Sequence, residues 1–406
     1  MRSVLLVTHY YPPEVGAAQT RLSETVHELR NLGWRVTVVA PIPHYPLGIV
    51  PPGYRWWRPA RELIDGVPVI RLPVLARGGD RFVNRIASQA SFALVSVAAA
   101  AVARRHDVVL VESPPLFLAG AGRLVATLTG RPYVLHVADP WPDFPIAMGY
   151  LDSKFARRLA YALERFSYRG AAAITTVTPP LVEMLDAKPG AHGKVSYLPN
   201  AVDVARFRRD IGRAEARRRL GWDPNAFTVV YAGTVGKAQG LRTLIDAAGQ
   251  VGDLASIHVI GDGVERDELD AAAANSGLGS LTFHRPMQRD EIPIALAAAD
   301  VGLVMLRDGP LYEASLPTKL VEAMAAGRAV VIAARGLAAS IVESAGAGYV
   351  AVPEDPGDLA RVIGEAAADP ERDARGDRGR ALVSESYDRP LVVGRLAGLL
   401  ERVAER

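Results

Sequence analysis

Residues 311–327 read Leu311-Tyr312-Glu313-Ala314-Ser315-Leu316-Pro317-Thr318-Lys319-Leu320-Val321-Glu322-Ala323-Met324-Ala325-Ala326-Gly327, and after Arg328 comes the apolar run Ala329-Val330-Val331-Ile332. Pro317 suits the first turn of a helix. Leu320, Val321, Met324 and Ala325 form an apolar stripe, and Gly327 is a C-terminal stop before a buried strand. The stretch therefore predicts a loop, a short helix and a strand, the unit from which α/β folds are built.

The amides around Leu316 to Lys319 lie where a helix start leaves N–H groups unpaired, and the aligned peptide dipoles add positive potential there. This is a seat for a phosphate. Glu322 follows Lys319 by three residues, about 5 Å along a helix axis, which is close to the reach from a nucleotide's phosphate to its ribose. A carboxylate there can accept from both ribose hydroxyls. By itself the segment fits an ordinary αβ unit with a solvated Glu equally well.

The same alternation runs through the whole chain. Apolar runs at 4–7, 36–40, 108–111, 133–137, 174–177, 228–232, 257–260, 301–305 and 329–333 are separated by helical patterns, and being continuous they predict strands covered on both faces. Two doubly wound α/β domains follow, facing each other across a cleft. Their join falls near residues 200–225, where Pro199-Asn200-Ala201-Val202-Asp203 precedes an Arg-rich helix and Gly221-Trp222-Asp223-Pro224. We expect a first domain over 1–202 and a second over 203–387. A periodic C-terminal helix over 388–406, with Leu391, Leu396, Leu399, Leu400 and Val403 on one face, is expected to return to the first.

At 406 residues with 49% apolar content, the chain is too long for one ordinary core. With no cysteine it has no disulfide, no thiolate nucleophile and no thiolate metal site. No His/Asp/Glu set has metal-ligand spacing and no G-x-S-x-G elbow occurs, so metal and acyl-transfer chemistry are unsupported. The net charge of +3 hides an asymmetry: residues 1–200 hold 22 Lys+Arg against 14 Asp+Glu, leaving 25 against 30. This excess is modest and forms no recognition helix, so nucleic acid is not an expected partner. The short run 4–7 is a strand rather than a signal-peptide core. The apolar segment 87–103 carries Ser88, Gln89, Ser91 and Ser96 and falls short of a spanning helix.

Three further loops follow predicted strands. His9 to Thr20 opens a helix at about Ala17 behind the single Gly16, so the dinucleotide fingerprint G-x-G-x-x-G is missing. Gly233-Thr234-Val235-Gly236-Lys237-Ala238-Gln239-Gly240 is glycine-rich without ending in G-K-[ST]; its amides and Lys237, one of five lysines, suit a pyrophosphate or simply make a surface turn. His136-Val137-Ala138-Asp139-Pro140-Trp141-Pro142-Asp143 lies at a strand's carboxyl end, where open sheets place ligands. Two prolines stiffen it, so Asp139 is either a held carboxylate or a helix cap.

Taken in order, these motifs, with Tyr10-Tyr11-Pro12-Pro13-Glu14-Val15-Gly16 and Gly261-Asp262-Gly263, resemble the family-4 glycosyltransferases of GT-B fold. The chain is especially similar to their bacterial envelope-polysaccharide branch, which resembles the fucosyl and N-acetylfucosaminyl transferases, and the resemblance spans essentially the whole chain. It implies retaining transfer from a nucleoside-diphosphate sugar, uridine ahead of guanosine, with no cofactor and no essential metal. Gly16 would approach the donor diphosphate. Gly233, Thr234 and Ser315 would line the donor, Lys237 and the Leu316–Lys319 amides would neutralise the diphosphate as it leaves, and Glu322 would hold the ribose. Gly261 and Arg285, within Phe283-His284-Arg285-Pro286-Met287, belong to the base-binding neighbourhood. Asp139 would touch a sugar hydroxyl or the reacting centre, with His136 behind it. Three positions depart from the family pattern: Thr234 replaces an Arg, Gln239 a Lys, and Ala314 the first Glu of the E-x7-E pair, next to Glu313.

The acceptor expected from this resemblance is a glycan or a polyprenyl-diphosphate-linked sugar. Tyr54-Arg55-Trp56-Trp57-Arg58, with Arg77, Arg81, Arg85, Arg104 and Arg105 around the apolar helix, suits a membrane surface through 54–58 and 81–105. A cytoplasmic protein, peripheral on the inner face of the membrane, is the corresponding expectation. Other readings are a non-catalytic sugar-nucleotide-binding assembly protein and a GT-B-like epimerase or phosphorylase.

Overall fold

The computed structural model describes the chain except residues 46, 78–81, 208–210 and 406, and the side chains of Phe82 and Leu311. Arg81, one of the arginines expected at a membrane surface, lies outside the described residues. The chain forms two compact units: residues 1–200 with 390–406, and residues 201–389.

The first unit is built on eight strands: β1 (Ser3–Val7), β2 (Arg35–Pro41), β3 (Ala60–Ile64), β4 (Val67–Leu72), β5 (Val108–Ser113), β6 (Tyr133–Val137), β7 (Ala173–Thr176) and β8 (Val195–Tyr197). Their order is β3-β4-β2-β1-β5-β6-β7-β8, and all neighbours are parallel except the hairpin β3-β4. The second unit holds β9 (Thr228–Ala232), β10 (Ser256–Ile260), β11 (Leu281–His284), β12 (Val301–Met305), β13 (Ala329–Ala333) and β14 (Gly348–Ala351), all parallel, in the order β11-β10-β9-β12-β13-β14. The strand order reverses between β1 and β5 and again between β9 and β12. Such switch points leave a crevice at the carboxyl ends of the strands.

Every strand expected from a continuous apolar run is present, because residues buried on both faces leave that signature. The strands without one lie toward the sheet edges. β3 holds Arg61 and Glu62 and is only partly buried, and β4 is interrupted by Pro68 and Arg71; they join at the turn Asp65-Gly66, where both residues have positive φ (50° and 74°). β8 and β11 are short and only partly buried.

Buried ion pairs tie helices to the strand ends. Arg217 donates to the carbonyls of Ala298 and Pro224, each at 2.9 Å, and pairs with Asp300 at 2.5 Å; Asp300 also accepts from the Thr228 amide. Such a pair, with its remaining donors satisfied, costs little to bury.

The C-terminal helix spans Arg389–Ala404. Its buried stripe is Val392, Val393, Leu396, Ala397, Leu400 and Val403, whereas Leu391 is exposed, which corrects the expected face. The i, i+4 rows through 392-396-400 and 393-397 point inward and leave Leu391 outside them. Arg2 donates to the Glu401 carbonyl at 3.0 Å and pairs with Glu405 at 2.6 Å, which anchors this helix beside β1.

The apolar helix begins at Phe82, earlier than the sequence segment. Its run Val83–Ala103 is long and apolar enough to cross a membrane by length and composition. Phe92, Ala93, Ala99 and Ala103 are nevertheless buried, and the helix packs on β2, β4 and the helix Leu116–Thr129.

Candidate active site

The second unit brings most of the expected donor residues to its switch point. Helix Thr318–Ala325 follows β12 and buries Leu320, Val321, Ala323, Met324 and Ala325, and Gly302 on β12 makes its close approach possible. A Cβ on Gly302 would stand 2.6 Å from that of Ala323. Pro317 is the residue before the helix rather than within its first turn: with ψ near 135° its backbone is still extended, and the Leu320 amide donates to its carbonyl at 3.1 Å. The amides of Leu316, Thr318 and Lys319 find no acceptor among the described residues.

Beside this helix start, the loops after β9 and β10 run together. The Gly233 amide donates to Ile260 O at 2.9 Å and the Val235 amide to Asp262 O at 2.8 Å. Gly261, at φ 150°, has no room for a side chain, since a Cβ would stand 1.9 Å from the Gly233 carbonyl oxygen. Gly233 is covered by Lys319, whose Cε lies 2.9 Å from the Cβ position.

Lys319 itself is held. Its Nζ donates to the hydroxyl of Tyr231 and sits 4.1 Å from the centre of that ring, while Tyr231 Oη donates to Thr234 O at 2.5 Å. Burial pushes the Lys319 ammonium down to about 7, partly offset by Glu322. Glu322 lies one turn along, and among the described residues its carboxylate has no hydrogen-bond donor. Burial raises its carboxyl above the usual range, opposed by Arg289, Arg206 and Lys319.

Arg289 and Arg206 were not anticipated from the sequence. Neither belongs to a periodic motif, and only folding brings residues 206, 289 and 322 together. Thr234 contributes its carbonyl to the Tyr231 contact. Lys237 is exposed on a short turn and Arg285 is exposed beyond β11. Glu313 is exposed, with its backbone against Gly336. Ser315 donates its amide to Tyr312 O at 3.0 Å.

The first unit assembles a second polar cluster at its own strand ends. Glu112 on β5, His136 on β6 and Thr175 on β7 are in register, and His136 Nδ1 lies 2.9 Å from Thr175 Oγ1. Buried Glu112 pairs with Arg21 of the helix Ala17–Asn31. Glu112 and Arg21 were missed, although a carboxylate closing the run 108–111 is a readable signal.

Burial holds His136 neutral, and its Nε2 has no partner among the described residues. Asp139 follows on the loop with its outer edge exposed. Its dense surroundings push the carboxyl above the usual range, against Arg21 and together with Glu112. Asp143 is instead held by Tyr161 at 2.9 Å and by Lys188. Gly16 directly precedes the Ala17–Asn31 helix, and a Cβ there would stand 2.5 Å from Gln19 Oε1. His9 Nδ1, Glu14 Oε2 and Gln19 Nε2 are further buried polar atoms without partners among the described residues, which concentrates unsatisfied hydrogen-bonding capacity there. Among the described residues, no three His, Cys, Asp or Glu side chains gather as a metal site would require.

Comparison with known proteins matches both units. Residues 16–201 match the family described as Glycosyl transferase 4-like domain and residues 212–381 the one described as Glycosyl transferases group 1. The chain is 30% identical over 334 residues to the putative colanic acid biosynthesis glycosyl transferase WcaI of Escherichia coli, covering 80% of this chain and 81% of that one. The chain belongs to the family-4 glycosyltransferases.

This transferase is also 28% identical, over 98% of both chains, to the GDP-mannose-dependent alpha-(1-6)-phosphatidylinositol monomannoside mannosyltransferase of Mycobacterium tuberculosis. Its fold matches that of Anabaena HepE, solved in complex with UDP, with a TM-score of 0.74 at 19% identity over 99% of this chain and 100% of that one. Two Rossmann-like domains of GT-B type are thus its architecture, and transfer of a glycosyl group is its class of reaction.

Proposed function

We propose that this transferase moves a sugar with retention of configuration from a nucleoside-diphosphate sugar to a glycan or lipid-linked acceptor of the cell envelope. The observation that carries the donor half is the second switch point. There Gly233 and Gly261 leave backbone bare, Lys319 stands over Gly233, and three amides at 316–319 lack acceptors among the described residues one turn from Glu322. A diphosphate is bound there by amides and one ammonium, and the ribose hydroxyls donate to Glu322.

Negative charge grows on the diphosphate as the sugar leaves, so these fixed donors act most strongly in the transition state. The leaving phosphate oxygen takes the acceptor proton, and neither a metal nor a protein nucleophile is needed. Asp139 touches the sugar or the reacting centre, and His136 acts behind it as a neutral positioning residue.

Uridine is the leading base, as in the UDP complex of the Anabaena protein; the GDP-mannose-dependent relative favours guanosine as the second reading. The sugar is of the fucose or N-acetylfucosamine type, and the protein works at the cytoplasmic face of the membrane.

A thermal-shift panel of uridine, guanosine and adenosine diphosphate sugars tests the donor. Ligand at 100 times its Kd stabilises by about 2.7 kcal/mol. No shift with any of the three at saturation would overturn the donor site. Glu322→Ala removes charge-assisted hydrogen bonds and should weaken donor affinity about tenfold to a hundredfold. Asp139→Ala should instead lower kcat with little change in KM. Unchanged kinetics in both variants would end the assignment.

A further inference from the structure

The strongest unpaired feature outside the donor site is the helix Lys154–Gly170, which the sequence reading passed over. It carries two different rows on its solvent side. At 100° per residue, Phe155, Leu159, Ala162 and Phe166 fall within about 60° of one another, and Lys154, Arg158, Arg165 and Arg169 fill the adjacent sector of about 60°.

Phe155 is 78% exposed and Leu159 62%. None of the four basic side chains makes an ion pair among the described residues. The acidic groups on and around the helix are already engaged: Glu164 and Asp143 with Lys188, and Asp152 with Arg157. Arg123 of the neighbouring helix stacks over Phe166 at 4.1 Å, which brings a fifth cation to the apolar edge.

The helix does not stand alone. The helices Phe82–Ser96, Leu116–Thr129 and Lys154–Gly170 pack side by side in that order on the first sheet, and Leu94, Leu124 and Leu128 are exposed on the first two. Folding thus leaves a broad apolar surface with a basic row along one side. Burying large apolar side chains inward is the ordinary outcome, and a rank of them kept outward beside unpaired cations indicates a partner that is apolar and anionic in the same plane.

We propose that the helix Lys154–Gly170 lies on an anionic lipid surface, with Phe155, Leu159 and Phe166 among the acyl chains and Lys154, Arg158, Arg165 and Arg169 at the phosphates. A soluble acidic protein or a nucleic acid would engage the basic row and leave the apolar stripe in water. A bilayer interface takes both together. This inference goes beyond the donor chemistry proposed above and does not depend on it. It also moves the principal membrane contact away from 54–58, where exposed Trp56 and Trp57 lie in a turn closed by the Arg58 amide on the Arg55 carbonyl, without a continuous basic row.

The test is flotation of the full chain with vesicles of phosphatidylcholine alone or mixed with phosphatidylglycerol. Binding is expected only to the mixed vesicles and should fall as salt shortens the screening length from about 10 Å at 0.1 M to about 3 Å at 1 M. Phe155→Ser with Leu159→Ser, and separately Arg158→Glu with Arg165→Glu, should each lower the bound fraction about tenfold or more. Trp56→Ser with Trp57→Ser should bind as the parent does. Every substituted side chain is exposed, and an unchanged melting temperature confirms folding. Absence of flotation, helix variants that bind as the parent does, or loss confined to the Trp56/Trp57 variant would each overturn the proposal. So would a dimer seen by light scattering that Phe155→Ser dissociates without any vesicle binding, because the face would then join two copies.

Discussion

Lys319 illustrates how a single side chain is tuned by its surroundings. Its ammonium has an ordinary value of 10.5 and is lowered to about 7, first by burial, with Glu322 opposing. Between those values the folded protein binds fewer protons at this site than the unfolded chain, so this group makes stability rise with pH through that window. The cost of holding it charged is fully present below about 7 and disappears above the unfolded value. A diphosphate restores the positive charge, so donor binding should take up a proton. Calorimetry at about pH 8, in buffers of different ionisation enthalpy, should show uptake approaching one proton with UDP, and none in Lys319→Met. Tyr231→Phe keeps the ring but removes the hydroxyl that accepts from Nζ, so the midpoint of the uptake should move to lower pH. Of these residues, Lys319 and Glu322 were readable from their spacing on one helix. Tyr231 was not, because as part of an apolar strand it differs in no visible way from a core tyrosine.

Close backbone approach governs the elements around the site. The loops after β9 and β10 touch through bare glycine, so Gly261→Ala forces a Cβ onto the Gly233 carbonyl, which is backbone and cannot rotate away. We expect a loss of about 2–4 kcal/mol by urea denaturation, with loss of UDP binding. Gly277 has φ 67° with open space around it, so Gly277→Ala should cost only about 1 kcal/mol. Equal costs at the two positions would refute the crowding argument. The elements themselves were legible to different degrees. Central strands such as Val301–Met305 announce themselves, because burial on both faces demands an unbroken apolar run. The hairpin of β3 and β4 was missed despite its Asp65-Gly66 turn, because an edge hairpin needs apolar residues on one side only.

In the whole molecule, each unit has its own sheet and core, and the residues from 233 to 322 proposed to bind the donor all lie within residues 201–389. Saturating UDP should therefore slow hydrogen exchange in the loop 233–240 and the helix Thr318–Ala325, while leaving β1 and β5 unchanged. Protection confined to residues 1–200 would contradict the assignment of the donor to the second unit. The sequence alone determined the α/β class, the two units, the helix start at 316–319 and the place of Glu322 one turn along it, because burial periodicity and helix-start chemistry are local and leave local patterns. Tertiary structure decided what depends on distant parts of the chain meeting. It placed Tyr231 against Lys319, Arg206 and Arg289 within the field of Glu322, and Arg21 on Glu112. It also decided which amphipathic faces are covered: the C-terminal helix turns Leu391 outward, and the helix Lys154–Gly170 keeps Phe155 and Leu159 in solvent. A helical pattern reveals that a stripe exists, and only the packed neighbours determine whether anything covers it.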